Sequence, residues 1–145
     1  MIWTSDDLLW LAMTVYFEAV GEPKWAQKVV VKVICNRAVR RRQTLKQVVL
    51  APKQFSCWNH GLMGPLSNPL RPDLLSMVHE TCQIGIQEWI NGGRLRGATH
   101  FYSPESMIPR NAVPWWVPSM TFIGEFAGFK VYREGPEPRW DRTTF

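Results

Sequence analysis

The run WAQKVVVKVICNRAVRR, residues 25–41, constrains the fold most. Val29, Val30, Val31, Val33, Ile34 and Cys35 place apolar side chains around nearly the whole circumference of a helix. Lys24, Lys28 and Lys32 recur every fourth residue and leave only one narrow polar stripe. A helix without a polar face has to be enclosed, so the rest of the chain is expected to wrap this segment. A chain of 145 residues suits one such core. A single domain spanning residues 1–145 is the expectation. With 46% apolar and 20% charged residues, a disordered chain is excluded.

The flanking segments supply the wrapping. Ser5 reads as the N-cap of a first helix, with Asp6 and Asp7 in its first turn. Leu8, Leu11, Ala12, Val15 and Ala19 recur at helical spacing, and Gly21 ends the helix. Pro23 reads as the first position of the enclosed helix. Thr44 opens a short helix, TLKQVVL, that Pro52 closes. Residues 53–72 are rich in Gly, Pro, Asn and Ser and read as a long loop, a kind that often carries function. A further helix is expected from about Asp73 to Asn91, with Leu75, Val78, Cys82, Trp89 and Ile90 inward. The segments ATHFY, TFIGEF and FKVYR read as short strands, and the tail EGPEPRWDRTTF as frayed or draped. The fold class expected is α+β: a helix-rich single domain with a small late antiparallel sheet.

Charge is unevenly distributed. Between Pro23 and Pro72 there are ten Lys and Arg and no Asp or Glu, so a net charge of +5 leaves −5 for the remainder. Such a lobe suits steering toward a polyanion, an anionic cell envelope among them. Cys35, Cys57 and Cys82 form no CxxC pair, so free thiols and synthesis in the cytoplasm are expected. The apolar run 8–17 is too short to span a bilayer, and acidic residues precede it where a signal peptide is basic. His60, His79 and His100 offer no paired ligand spacing with the cysteines, and no metal or other cofactor is expected. There is no GxSxG, Walker or GxGxxG motif.

Four groups of residues suit chemistry on sugars. Glu18 lies among Val15, Tyr16, Phe17 and Ala19; an apolar, aromatic setting disfavours the charged carboxylate and keeps a proton for a glycosidic oxygen. Glu22 reads first as a carboxylate accepting N–H bonds where the next helix starts, with a second catalytic carboxylate as the alternative. Gln54, Phe55, Ser56 and Trp58 mix flat apolar faces with hydrogen-bonding groups, the combination that sugar rings require. In the strand, Thr99 and Phe101 are expected on one face, His100 and Tyr102 on the other, where they would orient an acetamido or carboxylate group.

Taken in order, EAVGEP at 18–23, Asn36–Arg37, QFSCW at 54–58 and ATHFY at 98–102 resemble the SleB/CwlJ-type cell-wall hydrolases, a family known from spore-cortex lysis and phage endolysins. The resemblance runs from about Leu11 to Phe126. It implies a lysozyme-related fold similar to resuscitation-promoting factors. It implies Glu18 as catalytic acid and the QFS and THFY segments as walls of a glycan cleft. The substrate implied is bacterial peptidoglycan, cut at the β-1,4 bond between N-acetylmuramic acid and N-acetylglucosamine, often by lytic transglycosylation. Where the family commonly has a His in an IGxHxF-like run, this chain has IGEFAGF, with Phe126 at that position.

A water-adding glycosidase generally needs two carboxylates, whereas a lytic transglycosylase works with one. Apart from Glu22, only Asp73 is acidic between Gly21 and Glu80, which favours the single-carboxylate route over a water-adding muramidase. A basic envelope- or nucleic-acid-binding module and a metal-dependent amidase or peptidase are the readings from other classes. Nucleic acid is not the expected partner. The chain is expected to act as a monomer, held in the cytoplasm of a host bacterium until released to the wall, as phage endolysins are.

Overall fold

The computed structural model describes residues 3–51, 55 and 70–135. Four helices run Ser5–Ala19 (α1), Lys24–Arg41 (α2), Leu45–Leu50 (α3) and Pro72–Ile90 (α4). Three strands follow, His100–Tyr102 (β1), Met120–Phe126 (β2) and Phe129–Glu134 (β3). The layout is the α+β one expected: helix-rich, with a small late antiparallel sheet. The expectations for the loop 53–72 and the C-terminal tail fall mostly outside the described residues.

Helix α2 is the enclosed axis. Ala26, Val30, Val31, Val33, Ile34, Cys35 and Ala38 are all wholly buried. Helices α1, α3 and α4 pack on it and on each other, and β1 approaches its C-terminal half. Where α4 crosses α2, Gly85 has no side chain, and a Cβ there would sit 3.1 Å from Val31 Cγ1. The lysine stripe of α2 meets α4 as well: Lys28 and Lys32 bind the two carboxylate oxygens of Glu88 at 2.7 and 2.8 Å.

Several helix ends differ from the expectation by a residue. Thr4, not Ser5, caps α1: its hydroxyl accepts the Asp7 N–H while the Asp7 carboxylate accepts the Thr4 N–H. Asp7 also accepts the Lys46 N–H, tying α1 to α3. Burial raises the Asp7 pKa, but the N–H groups of Thr4 and Lys46 and the Thr4 and Thr44 hydroxyls outweigh it and hold the carboxyl below its usual range. Pro23 is the N-cap of α2 rather than its first residue. Ile90, expected inward, is 52% exposed because it ends the helix one turn beyond the packed Ile86.

The sheet order is β1-β3-β2, antiparallel throughout. Ala127 and Gly128, both at positive φ, form the two-residue turn between β2 and β3. Alternation sends Ile123, Phe129 and Val131 into the core. His100, Tyr132 and Phe122 are cross-strand partners on the outer face.

Of the ten basic residues of the 23–72 stretch, nine lie among the described residues, and most of these are engaged within the fold. Besides Lys28 and Lys32, Arg40 and Arg41 hold Glu134, Lys46 meets Asp6, and Arg71 meets Asp73. Arg37 is buried. The positive stretch is therefore partly neutralised by the acidic remainder of the same chain.

Candidate functional site

Glu18 sits on the last turn of α1 and is half-buried. Tyr16 and Phe17 meet edge to face at 5.2 Å beside it. The turn that follows is held from α2: the buried Gln27 side chain donates to the carbonyls of Ala19 (2.9 Å) and Glu22 (3.3 Å). The Glu22 N–H closes the turn on Ala19 O at 3.0 Å. Gln27 thus gives Ala19 O a second donor, supplies one to Glu22 O, and fixes the turn next to Glu18. Sequence reasoning passed over Gln27, whose only mark is a polar side chain in an otherwise apolar run.

Glu22 does not have the capping role expected of it. It is exposed, and α2 opens without a side-chain cap. Because Pro23 occupies the N-cap, Glu22 stands outside the position from which a side chain reaches the first helical N–H groups.

At the other end of α2, Asn36 and Arg37 build the scaffold under β1. Asn36 accepts from the Trp89 indole at 2.8 Å and donates to the carbonyls of Arg94 (2.8 Å) and Ala98 (2.9 Å). Arg37 donates through Nε and Nη2 to the Thr99 carbonyl and lies 5.6 Å over the Phe55 ring. Burial, reinforced by the nearby Arg41, lowers the Arg37 pKa to about 10, so it stays charged at neutral pH.

The sheet sorts the candidate substrate residues. Thr99 is 1% exposed; its hydroxyl accepts the Glu134 N–H at 3.0 Å and lies 3.1 Å from His100 Nδ1. Phe55 is also buried. Thr99 ties the start of β1 to β3, and Phe55 lies under the Arg37 guanidinium that holds Thr99. His100 and Tyr102 fall on the opposite face from Thr99 and Phe101, as alternation requires. There they join two residues that sequence reasoning missed, Trp116 and Tyr132. Trp116 lies 5.1 Å from His100, 5.9 Å from Tyr102 and 5.4 Å from Tyr132, and Tyr102 stacks on Tyr132 at 6.1 Å. The periodicity of FKVYR marked Tyr132 as a strand residue, but only strand pairing brings it beside His100.

Burial, with Arg37 adding to it, pushes the His100 pKa down to about 4, against the smaller opposing pull of Glu134 3.8 Å away. His100 is therefore a neutral imidazole at neutral pH, suited to hydrogen bonding rather than ion pairing. Burial, a hydrogen bond with Tyr102 and the charge of Glu125 raise the Tyr132 pKa.

Gln54, Ser56 and Trp58 lie outside the described residues. Arg37 brings Phe55 and Thr99 together, whereas Glu18 is anchored near the N-terminus of α2. Gln27 and Arg37 are separated by about 15 Å along the helix axis. Among the described residues no three His, Cys, Asp or Glu side chains converge as a metal site. Cys35 and Cys82 are free and buried, and burial raises both thiol pKa values, Cys82 to about 12. No helix among the described residues is long and apolar enough to cross a membrane.

Fold and site together define a helix-centred α+β domain with the half-buried Glu18 carboxylate at the end of α1 and an aromatic sheet face. The chain belongs to the cell wall hydrolase family, of the SleB/CwlJ type its motifs resemble: the family model for cell wall hydrolases matches residues 21–127. It is thus a cell-wall-degrading enzyme. Among solved structures, the catalytic domain of the germination-specific lytic transglycosylase SleB from Bacillus anthracis is similar in fold. Its TM-score is 0.66 at 20% identity, over 90% of this chain and 97% of that one. The catalytic domain of the Bacillus cereus SleB protein gives a TM-score of 0.67 at 20% identity, over 91% and 93%. No curated protein matches the chain.

Proposed function

We propose that this enzyme cleaves the β-1,4 bond between N-acetylmuramic acid and N-acetylglucosamine in peptidoglycan, as a lytic transglycosylase with Glu18 as its acid and base. The observation that carries the reading is the half-buried Glu18 on the last turn of α1, in a turn pinned by Gln27. In the first half of the reaction Glu18 gives its proton to the leaving glycosidic oxygen. In the second, its carboxylate takes the proton of the muramic acid 6-hydroxyl as that oxygen bonds to C1. The product is a 1,6-anhydro ring, and the carboxyl is returned to its starting state.

The distribution of the other carboxylates supports the one-carboxylate route. Asp6, Asp7, Asp73, Glu88, Glu105 and Glu134 are each bound to cations or backbone donors of the fold. A second catalytic carboxylate would have to come from Glu22, Glu80 or Glu125 among the described residues. The lytic transglycosylase activity named for the similar Bacillus anthracis domain supports the same chemistry. Mass spectrometry of digested peptidoglycan tests it. Products ending in 1,6-anhydromuramic acid are expected; reducing muramic acid ends would replace this reading with a water-adding muramidase.

A lysis role belongs to the same proposal, with the enzyme confined to the host cytoplasm until the membrane is opened. Cytoplasmic expression should leave cells intact until a permeabilising agent is added. Spontaneous lysis without one would remove that setting.

A further inference from the structure

We infer that the outer sheet face, extended by the Pro114–Ser119 turn, is a second glycan-binding element that stacks the apolar face of an acetamido sugar on Trp115. The starting observation is Trp115 itself, which is 89% exposed beside a Trp that is not. Pro114 and Val117 close a turn, with the Val117 N–H on Pro114 O at 3.2 Å, and the two indoles occupy its central positions. The turn lays Trp116 against His100, Tyr102 and Tyr132 and leaves Trp115 in water.

The turn is built to stay in that shape. Pro114 and Pro118 restrict the backbone on both sides. The Trp116 carbonyl accepts both the Ser119 N–H at 3.2 Å and the Ser119 hydroxyl at 2.9 Å. Because the backbone of the turn is already fixed, little main-chain freedom is lost when Trp115 binds.

The chemistry of this face favours a neutral sugar over a lipid surface. Stacking area is provided by Trp115 and by Phe122, itself about half exposed. His100, partly buried beside Trp116, offers a hydrogen-bonding group for a ring edge, while the buried Tyr102 and Tyr132 back the cluster from within. Two cations of this part of the chain stand beside acids: Arg110 pairs with Glu105 at 3.4 Å, and Lys130 lies opposite Glu125 in the strand register. An anionic bilayer needs an unmatched positive rim, whereas these two described cations each have an acid beside them. Through Trp116 the turn is joined to the strand that carries His100 and Tyr102, so it extends the glycan path inferred above; the inference rests on that reading for the identity of the natural polymer.

Binding is measured in an E18Q background, where cleavage does not interfere, by calorimetry with the tetramer of β-1,4-linked N-acetylglucosamine and by co-sedimentation with purified peptidoglycan. Trp115→Ala should weaken both by about tenfold, a loss within the range for one aromatic stacking contact, and Trp115→Phe should restore most of it. Equal affinity with and without the indole would overturn the inference. Trp115-dependent sedimentation with phosphatidylglycerol vesicles, without an effect on the sugar, would overturn it in favour of a membrane contact. The test is separate from that of the reaction. Sugar binding that depends on Trp115, together with a parent enzyme carrying Glu18 that yields no anhydro products, would sink the catalytic proposal and leave this one standing.

Discussion

Glu18 and Gln27 divide the work at the end of α1: one is proposed to exchange protons with substrate, the other holds the turn beside it. Glu18→Gln keeps the size of the side chain and removes the proton transfer. It should fold with unchanged thermal stability and lose about 10²–10⁴-fold in wall-lysis rate. Retention of most of the turbidity drop would take Glu18 out of the acid role. Gln27→Leu removes the side-chain donor from the Glu22 carbonyl and leaves the Ala19 carbonyl with the Glu22 N–H alone. A stability loss of about 1–3 kcal/mol is expected by chemical denaturation. If Gln27 positions Glu18, the pH profile of the rate must also move; a profile that overlays the parent leaves Gln27 a purely structural residue.

The elements are organised by α2, and its packing partners explain which substitutions it tolerates. Gly85 gives up about 1 kcal/mol of helix stability relative to Ala, and the return is the approach of α4 to Val31. Gly85→Leu should therefore destabilise the fold by about 1–3 kcal/mol through overpacking, despite the better helix former. A rise in midpoint denaturant concentration would show that the two helices separate at little cost. The Asn36–Arg37 pair lies inside α2, yet its hydrogen bonds act on the connector and on Thr99. The helix that forms the core thus also sets where β1 presents His100 and Tyr102.

For the whole molecule, two groups of titrating residues set the acid limb of stability. His100 titrates near 4 when folded and near 6.5 when unfolded. The unfolded chain thus binds the extra proton first, and stability should fall as pH drops from about 6.5 to 4. Asp7, Glu88 and Glu134 all have lowered folded pKa values, so their contributions hold above the ordinary carboxylate range and are lost further into acid. Denaturation followed against pH should show both stages, and His100→Gln should remove the first. We also propose that the residual positive charge aids contact with an anionic envelope. Because Arg40 and Arg41 are bound to Glu134, the exposed Lys24 and Arg42 are the residues to neutralise. Lysis by the Lys24→Gln, Arg42→Gln variant should drop at low salt and converge with the parent at high salt; identical salt profiles would discard the idea.

The amino-acid order alone determined the enclosed α2, the helix periods, the three short strands and the family, because these depend on the spacing of apolar side chains and on short motifs. It also placed His100 and Tyr102 on one face, since strand alternation is local. Tertiary structure decided what spacing does not encode. Trp116 and Tyr132 meet His100 only when β3 pairs with β1 and the Pro114 turn folds back over them. Glu22 loses its expected cap because Pro23 takes that position. The basic stretch loses much of its surplus because Glu88 and Glu134 arrive from distant parts of the chain. The physical reason is the same in each case: contacts between residues far apart in sequence depend on how the elements dock, and docking is set by the shape of the shared core rather than by any local pattern.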